Sequence, residues 1–228
     1  MSRLVLVRHG QARAFEDDSD RLSELGERQA QKLGDYFTAR NLTWREAYCG
    51  TLVRQRATAE RMGVLPRTDA RLNEYDATGV LNRIAPAMAA NDPKFAALFE
   101  TAAQQRHTPD ANRHFQRMFE VLMTRWRNGE VDVAGVETWQ AFQARVRDVL
   151  YEIVHAPGES RTVLVVSSGG AIATAVQIAL SAPPATALEL NWRMRNTSIT
   201  EFLFSRGRIT LDLFNAVPHL EPHEITYR

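Results

Sequence analysis

Leu4 to Val7 form an uninterrupted apolar run that ends at Arg8 and His9. A short run without polar alternation predicts a strand covered on both faces. Leu22, Leu25, Gln29 and Leu33 then fall at helical spacing, in a helix expected from the segment 20–26 to about Arg40. Arg45 to Cys49 predicts a short second strand, and Thr51 opens a second helix reaching about Met62. Val64 and Leu65 are expected to begin a third strand, stopped or bent by Pro66. Thr162 to Ser167 predicts a fourth strand with Val163 to Val166 at its centre. The helix Gly170 to Leu180 follows it, and Pro183 and Pro184 end that unit. Ser198 to Phe204 and Arg208 to Phe214, joined by Ser-Arg-Gly-Arg, carry a hairpin signal.

Strand–helix alternation at the front, repeated near residue 162, predicts an α/β fold with a mostly parallel sheet covered by helices on both faces. Between Tyr75 and Val136 the pattern changes to helical periodicity rich in Ala and Arg, with no convincing strand. The expectation is a single domain over 1–228 with a helical insertion at about 75–136 lying over one end of the sheet. A helix from about Thr138 to Val154 follows, with Trp139, Phe142, Val146, Val149 and Leu150 as its core face.

Composition narrows the classes. The chain has 228 residues, 44% of them hydrophobic, and a net charge of +1, so no strong field recruits nucleic acid or a membrane. Arg125-Trp126-Arg127 fits a half-buried helix face better than a nucleic-acid contact. Cys49 is the one cysteine, which excludes an intramolecular disulfide and a cysteine-rich zinc site. Four apolar residues before Arg8 are too few for a signal-peptide core or a membrane span, so a cytoplasmic protein is expected. The oligomeric state is not legible.

In an open α/β sheet, ligands bind at the carboxyl ends of the strands. Arg8 and His9 stand at the first such end, and Gly10 allows a close backbone approach. Arg54 falls in the first turn of the second helix, where a guanidinium and unpaired backbone N–H groups can face one anion. Glu74 supplies a carboxylate after the third strand. Val165-Val166-Ser167-Ser168-Gly169-Gly170 is another strand running into a helix N-terminus, a natural anion site.

In order, these motifs are LVRHGQA (6–12), LSELGERQAQKLG (22–34), GTLVRQRATAE (50–60), LNE (72–74), GVET (135–138), VVSSGG (165–170), RNTSIT (195–200) and NAVPHL (215–220). Their succession resembles the histidine phosphatase superfamily, in its phosphoglycerate mutase-like branch. The resemblance implies a phosphohistidine mechanism without a cofactor or metal. His9 would attack phosphorus; Arg8 and Arg54, with Gln11, Ser168 and Gly169, would bind the phosphoryl group. Glu74 would protonate the leaving oxygen and then activate water. The expected substrate is a small phosphorylated molecule, and the insertion would shape the mouth of the site; its Arg83, Arg106, Arg113 and Arg117 are candidates to meet an anionic tail of the substrate, with solvated helix faces the ordinary use of most of them. Most of the superfamily has Ser-His-Gly-Gly where this chain has Ser167-Ser168-Gly169-Gly170, so Ser168 stands in place of a second histidine. Arg193 or Arg195 is a candidate to compensate.

Rival readings remain. A phosphate-binding protein with little turnover would explain the missing imidazole. A phosphoglycerate mutase fits less well, because the Arg-x-Tyr-Gly that usually follows Leu-Asn-Glu is Tyr75-Asp76-Ala77-Thr78 here. A serine-hydrolase elbow at Ser168, with Asp212 and His219 as partners, lacks its first glycine, since Val166 occupies that position. His219 and His223 have metal-like spacing, but Pro218 and Pro222 argue against an ordinary helix there.

Overall fold

The computed structural model describes residues 1–13, 20–205 and 207–227. They divide into two compact units, Met1–Glu74 with Arg145–Arg228, and Tyr75–Ala144. The first unit is built on a six-stranded sheet in the order β3-β2-β4-β1-β5-β6. Its strands are β1 (Ser2–Arg8), β2 (Glu46–Cys49), β3 (Arg67–Thr68), β4 (Thr162–Ser167), β5 (Ile199–Ser205) and β6 (Arg208–Ala216). β1, β2, β3 and β4 are mutually parallel, and β5 runs antiparallel to both β1 and β6. This is the expected α/β class with a mostly parallel sheet.

Burial explains the pattern. Leu4, Val5, Leu6 and Val7 are all at most 2% exposed, so both faces of β1 are covered. Val5 and Val7 pack with Leu164 and Val166 against Leu33 and Phe37 of α1 (Glu24–Ala39) and Ala59 of α2 (Val53–Arg61). On the chain's return, α7 (Trp139–His155) leads to β4, followed by α8 (Gly169–Ala179) and α9 (Ala185–Asn191). The hairpin β5–β6 is as expected, except that Arg206 of its turn lies outside the described residues.

One expected strand is displaced. Val64 and Leu65 form no strand, and Leu65 is 94% exposed. The pairing with β2 begins only beyond Pro66, at Arg67 and Thr68. Proline lacks an N–H and restricts the residue before it, so the ladder starts after it.

The second unit is helical: α3 (Ala77–Gly79), a single wide turn at Val80–Ile84, α4 (Ala85–Asn91), α5 (Pro93–Gln104), α6 (Ala111–Asn128) and the start of α7. Its centre is aromatic. Trp126 lies 5.4 Å from Tyr75 and 5.5 Å from Trp139 between ring centroids, and its indole N–H donates to the Glu137 carbonyl. Trp126 is thus core, and Arg125 pairs with Asp92, the residue that caps α5. No described helix is long and apolar enough to cross a membrane.

Candidate active site

The carboxyl ends of β1 and β4 lie side by side, because Arg8 pairs with Ser167 in their parallel register. His9 follows directly and is 6% exposed. Its backbone N–H donates to the Ser167 carbonyl at 2.9 Å, and its own carbonyl accepts from Asn196 Nδ2 at 3.1 Å. The ring is fixed at both nitrogens. Nδ1 lies 2.7 Å from the Gly10 carbonyl, an acceptor only, so Nδ1 carries the proton. Nε2 therefore keeps its lone pair, which accepts from Arg54 Nε at 3.1 Å. Burial first, then the charges of Arg54 and Arg8, hold the imidazole pKa well below 6.5. The result is a neutral, oriented imidazole in contact with the Arg54 guanidinium and within the field of the Arg8 charge.

Gly10 permits this arrangement, since a Cβ there would stand 2.4 Å from the Gly26 carbonyl oxygen. The turn it forms is anchored on α1, where Ser23 caps the helix and Gln29 Oε1 accepts from Gln11 N–H.

Glu74 reaches the N-terminus of α8, where its Oε2 accepts from Gly170 N–H at 3.1 Å. Arg145 holds the backbone that carries it, donating to the carbonyls of Arg71, Asn73 and Glu74. Gly169 completes this corner. A Cβ at Gly169 would lie 2.4 Å from Asn191 Oδ1 and 3.5 Å from Arg8 Nε, so glycine lets both approach. Ser168 is fully buried and accepts from Gln55 Nε2 at 2.8 Å.

The remaining candidates are placed less centrally. Arg8 is tied through one terminal nitrogen to the carbonyls of Met194 and Tyr227. Gln11 turns its side-chain oxygen to Ser23 Oγ, 2.8 Å away, and so serves the start of α1. Arg195 is committed to Asn215, and Arg193 lies over the Tyr227 ring. The described contacts link neither arginine to Ser168 or His9. The serine-hydrolase arrangement is not assembled, because Ser168 is bonded to an amide while His219 is bonded to Thr197 at 3.0 Å. Asp212 is exposed on β6, and burial pushes the His219 pKa down to about 4. Cys49 is an inert core thiol, its pKa pushed up to about 11 by burial.

A neutral buried histidine bonded to Arg54 thus ends β1, and a carboxylate stands at the start of the helix that follows the neighbouring strand. The model of the histidine phosphatase superfamily (branch 1) matches residues 4–120 and 112–217. The chain belongs to the histidine phosphatase superfamily, branch 1. No curated protein matches the sequence. Among solved structures, it is similar to mycobacterial glucosyl-3-phosphoglycerate phosphatase, at 26% identity and a TM-score of 0.61, covering 95% of this chain and 99% of that one. It is also similar to phosphoserine phosphatase from Entamoeba histolytica, solved with 3-phosphoglyceric acid, at 18% identity and a TM-score of 0.65, covering 97% and 100%. A third is YhfR of Bacillus stearothermophilus, at 22% identity and a TM-score of 0.65, covering 97% and 100%.

Two residues in contact with these candidates escape a reading by motif. One is Gln55, beside Arg54 in α2. The other is Asp20, whose carboxylate binds Arg54 at 2.6 Å and the Val53 N–H at 2.8 Å. Asp20 thereby occupies two donors at the start of α2. Nothing in its local sequence announces this contact, because the partner Arg54 is 34 residues away.

Proposed function

We propose that the chain is a phosphomonoesterase that acts on a small phosphorylated molecule through a phosphohistidine on His9. The observation that carries this reading is the ring geometry of His9. Its proton is held on Nδ1 by the Gly10 carbonyl, which leaves Nε2 as the nucleophile. The Nε2 lone pair forms the N–P bond as the P–O ester bond breaks. Glu74, protonated for this step, gives its proton to the leaving oxygen. In the second step Glu74, now a carboxylate, takes a proton from water. That water's oxygen attacks phosphorus, the N–P bond breaks, and inorganic phosphate leaves. Arg54 and Arg8 supply the positive charge that spreads over the phosphoryl oxygens, so positioning and electrostatics do most of the work. Ser168 is read as the replacement of the family's second histidine, contributing a neutral donor. The likeness to a sugar-phosphoglycerate phosphatase supports a small phosphorylated substrate.

The test is a phosphatase screen over phosphorylated metabolites, followed by brief exposure to a labelled substrate and an alkaline quench. An acid-labile phosphoryl group on His9 is expected. Acid-stable label on Ser168 would sink the histidine mechanism. The Asp20–Arg54 pair favours one second reading, a phosphate-binding protein of low turnover, for which the screen would find binding without hydrolysis.

Two binding predictions belong to this pocket. Arg54→Ala is expected to weaken phosphate or vanadate binding by about 1.5–3 kcal/mol, as for a lost hydrogen bond to a charged group. Isothermal calorimetry at low salt reads it, and unchanged affinity would place the anion elsewhere. Asp20→Asn acts in the opposite direction. It removes a carboxylate that competes for Arg54 and Val53, and the expected gain in phosphate affinity is about 3- to 10-fold, the scale of a partly exposed ion pair. A loss of affinity would mean that Asp20 orients Arg54 rather than competing for it.

A further inference from the structure

Ser168 is the N-cap residue of α8, yet its side chain caps nothing. A serine there ordinarily accepts from a backbone N–H of the first turn. Here Oγ accepts from Gln55 Nε2, and both side chains are fully buried. The direction of that bond follows from the other contacts of Gln55. Its Oε1 accepts from Leu52 N–H at 3.3 Å, and its Nε2 also donates to the Leu72 carbonyl at 3.2 Å. A flipped amide would set a donor against the Leu52 N–H and an acceptor against the Leu72 carbonyl, so one orientation alone satisfies both. Both Nε2 hydrogens are then used, and Ser168 Oγ is the acceptor. Among the described residues its own proton has no acceptor. A buried donor with nothing to bind is costly in a native structure and points to an acceptor supplied from outside the chain.

The place where that acceptor would sit is the phosphoryl pocket. Ser168 is the β4-side neighbour of His9, because Arg8 pairs with Ser167 and His9 N–H bonds to the Ser167 carbonyl. The two residues after Ser168 lie against Arg8 and Glu74. Gly50 makes room for the arrangement, since a Cβ there would lie 1.9 Å from Gln55 Oε1.

We infer that Gln55 is a positioning residue that fills the acceptor side of Ser168 and so directs the Ser168 hydroxyl as a donor to the phosphoryl oxygens bound beside His9. The inference rests on the phosphohistidine reading above for its part in turnover. An oriented neutral dipole, held by a buried amide, then does what a flexible hydroxyl would do poorly, because its reorganisation is completed on folding.

The test is a double-mutant cycle of Gln55→Met and Ser168→Ala, read as single-turnover phosphoryl transfer and, separately, as vanadate affinity. Methionine keeps the length and burial of Gln55 but has no N–H. Each single variant is expected to slow transfer by about 10- to 100-fold and to weaken vanadate, with substrate KM little changed. The double variant is expected to match Ser168→Ala, because Gln55 acts through that hydroxyl. Losses that multiply would overturn the inference, and Gln55 would then merely hold the loops at Leu52 and Leu72. A silent Ser168→Ala would overturn it too. Where Gln55→Met does not fold, Gln55→Glu carries the same question. An ionised carboxylate would turn the Ser168 proton inward, so the loss should appear at high pH and be relieved on acidification. A pH profile that superimposes on the parent's would overturn the inference. Vanadate binding needs no turnover, so the two readings fail separately. Label on His9 with an additive cycle sinks the role of Gln55 alone. A non-additive vanadate cycle without label on His9 leaves that role in anion binding and removes the covalent mechanism.

Discussion

His9→Ala is expected to lower turnover by on the order of 10⁴–10⁶, the cost of deleting a covalent nucleophile from a site that keeps its other groups. Phosphate binding should change far less, because in the proposed mechanism the anion is held mainly by guanidinium groups and backbone donors. A split of that kind separates the nucleophile from the binding groups, and equal losses in kcat and in phosphate affinity would refute it. The same residue has a pH signature. Burial and two neighbouring positive charges depress its pKa, so the imidazole stays neutral well below pH 6.5. In an NMR titration the His9 ring should show no protonation step near 6.5. The sign for stability follows by linkage. Below pH 6.5 the unfolded chain takes up a proton at this histidine and the native one does not, so His9 makes the fold progressively less stable as pH falls. A neutral-range titration assigned to His9 would mean that the ring is solvated and the site open.

Arg161→Met is the largest expected stability effect, about 3–5 kcal/mol, typical of breaking a buried ion pair by removing one partner. The Arg161 side chain is 1% exposed and lies at the opening of β4. Its Nε and one terminal nitrogen reach the two carboxylate oxygens of Glu46 on β2, at 2.7 and 3.0 Å. Its other terminal nitrogen donates to the carbonyls of Ile153 and Ala156, where α7 ends. One guanidinium therefore joins two parallel strands to the helix that feeds one of them. Methionine would fill the volume but leave the Glu46 carboxylate and two carbonyls without their donor. Urea unfolding of both proteins measures the difference, and a loss below 1 kcal/mol would mean that water replaces the guanidinium. The pair also sets an acid limit. Hydrogen bonding to Arg161 holds the Glu46 carboxyl below its ordinary value of 4.5, so its stabilisation is complete above pH 4.5 and is lost as pH falls through the lower, folded value. In Arg161→Met that acid-side loss should be largely absent.

Most elements of the sheet unit, and the family, were legible in the sequence alone. Continuous apolar runs at Leu4 to Val7 and Val163 to Val166 identify central strands, because only a strand covered on both faces tolerates them. The ordered motifs place His9, Arg54 and Glu74 in one family pattern, because strand ends and helix starts converge in an α/β sheet whatever the intervening chain does. Pro66 was legible as a breaker, but the strand expected to begin before it, at Val64, begins after it. That was decided by the pairing of Tyr48 with Arg67 and Cys49 with Thr68. The tertiary structure alone decided the proton position on His9, which depends on the carbonyl opposite Nδ1. It alone set Asp20 on Arg54, and Gln55 on Ser168, across 34 and 113 residues of chain. Such contacts leave no periodicity or local spacing behind, because a polar side chain chooses its partner from whatever folding brings within about 3 Å of it.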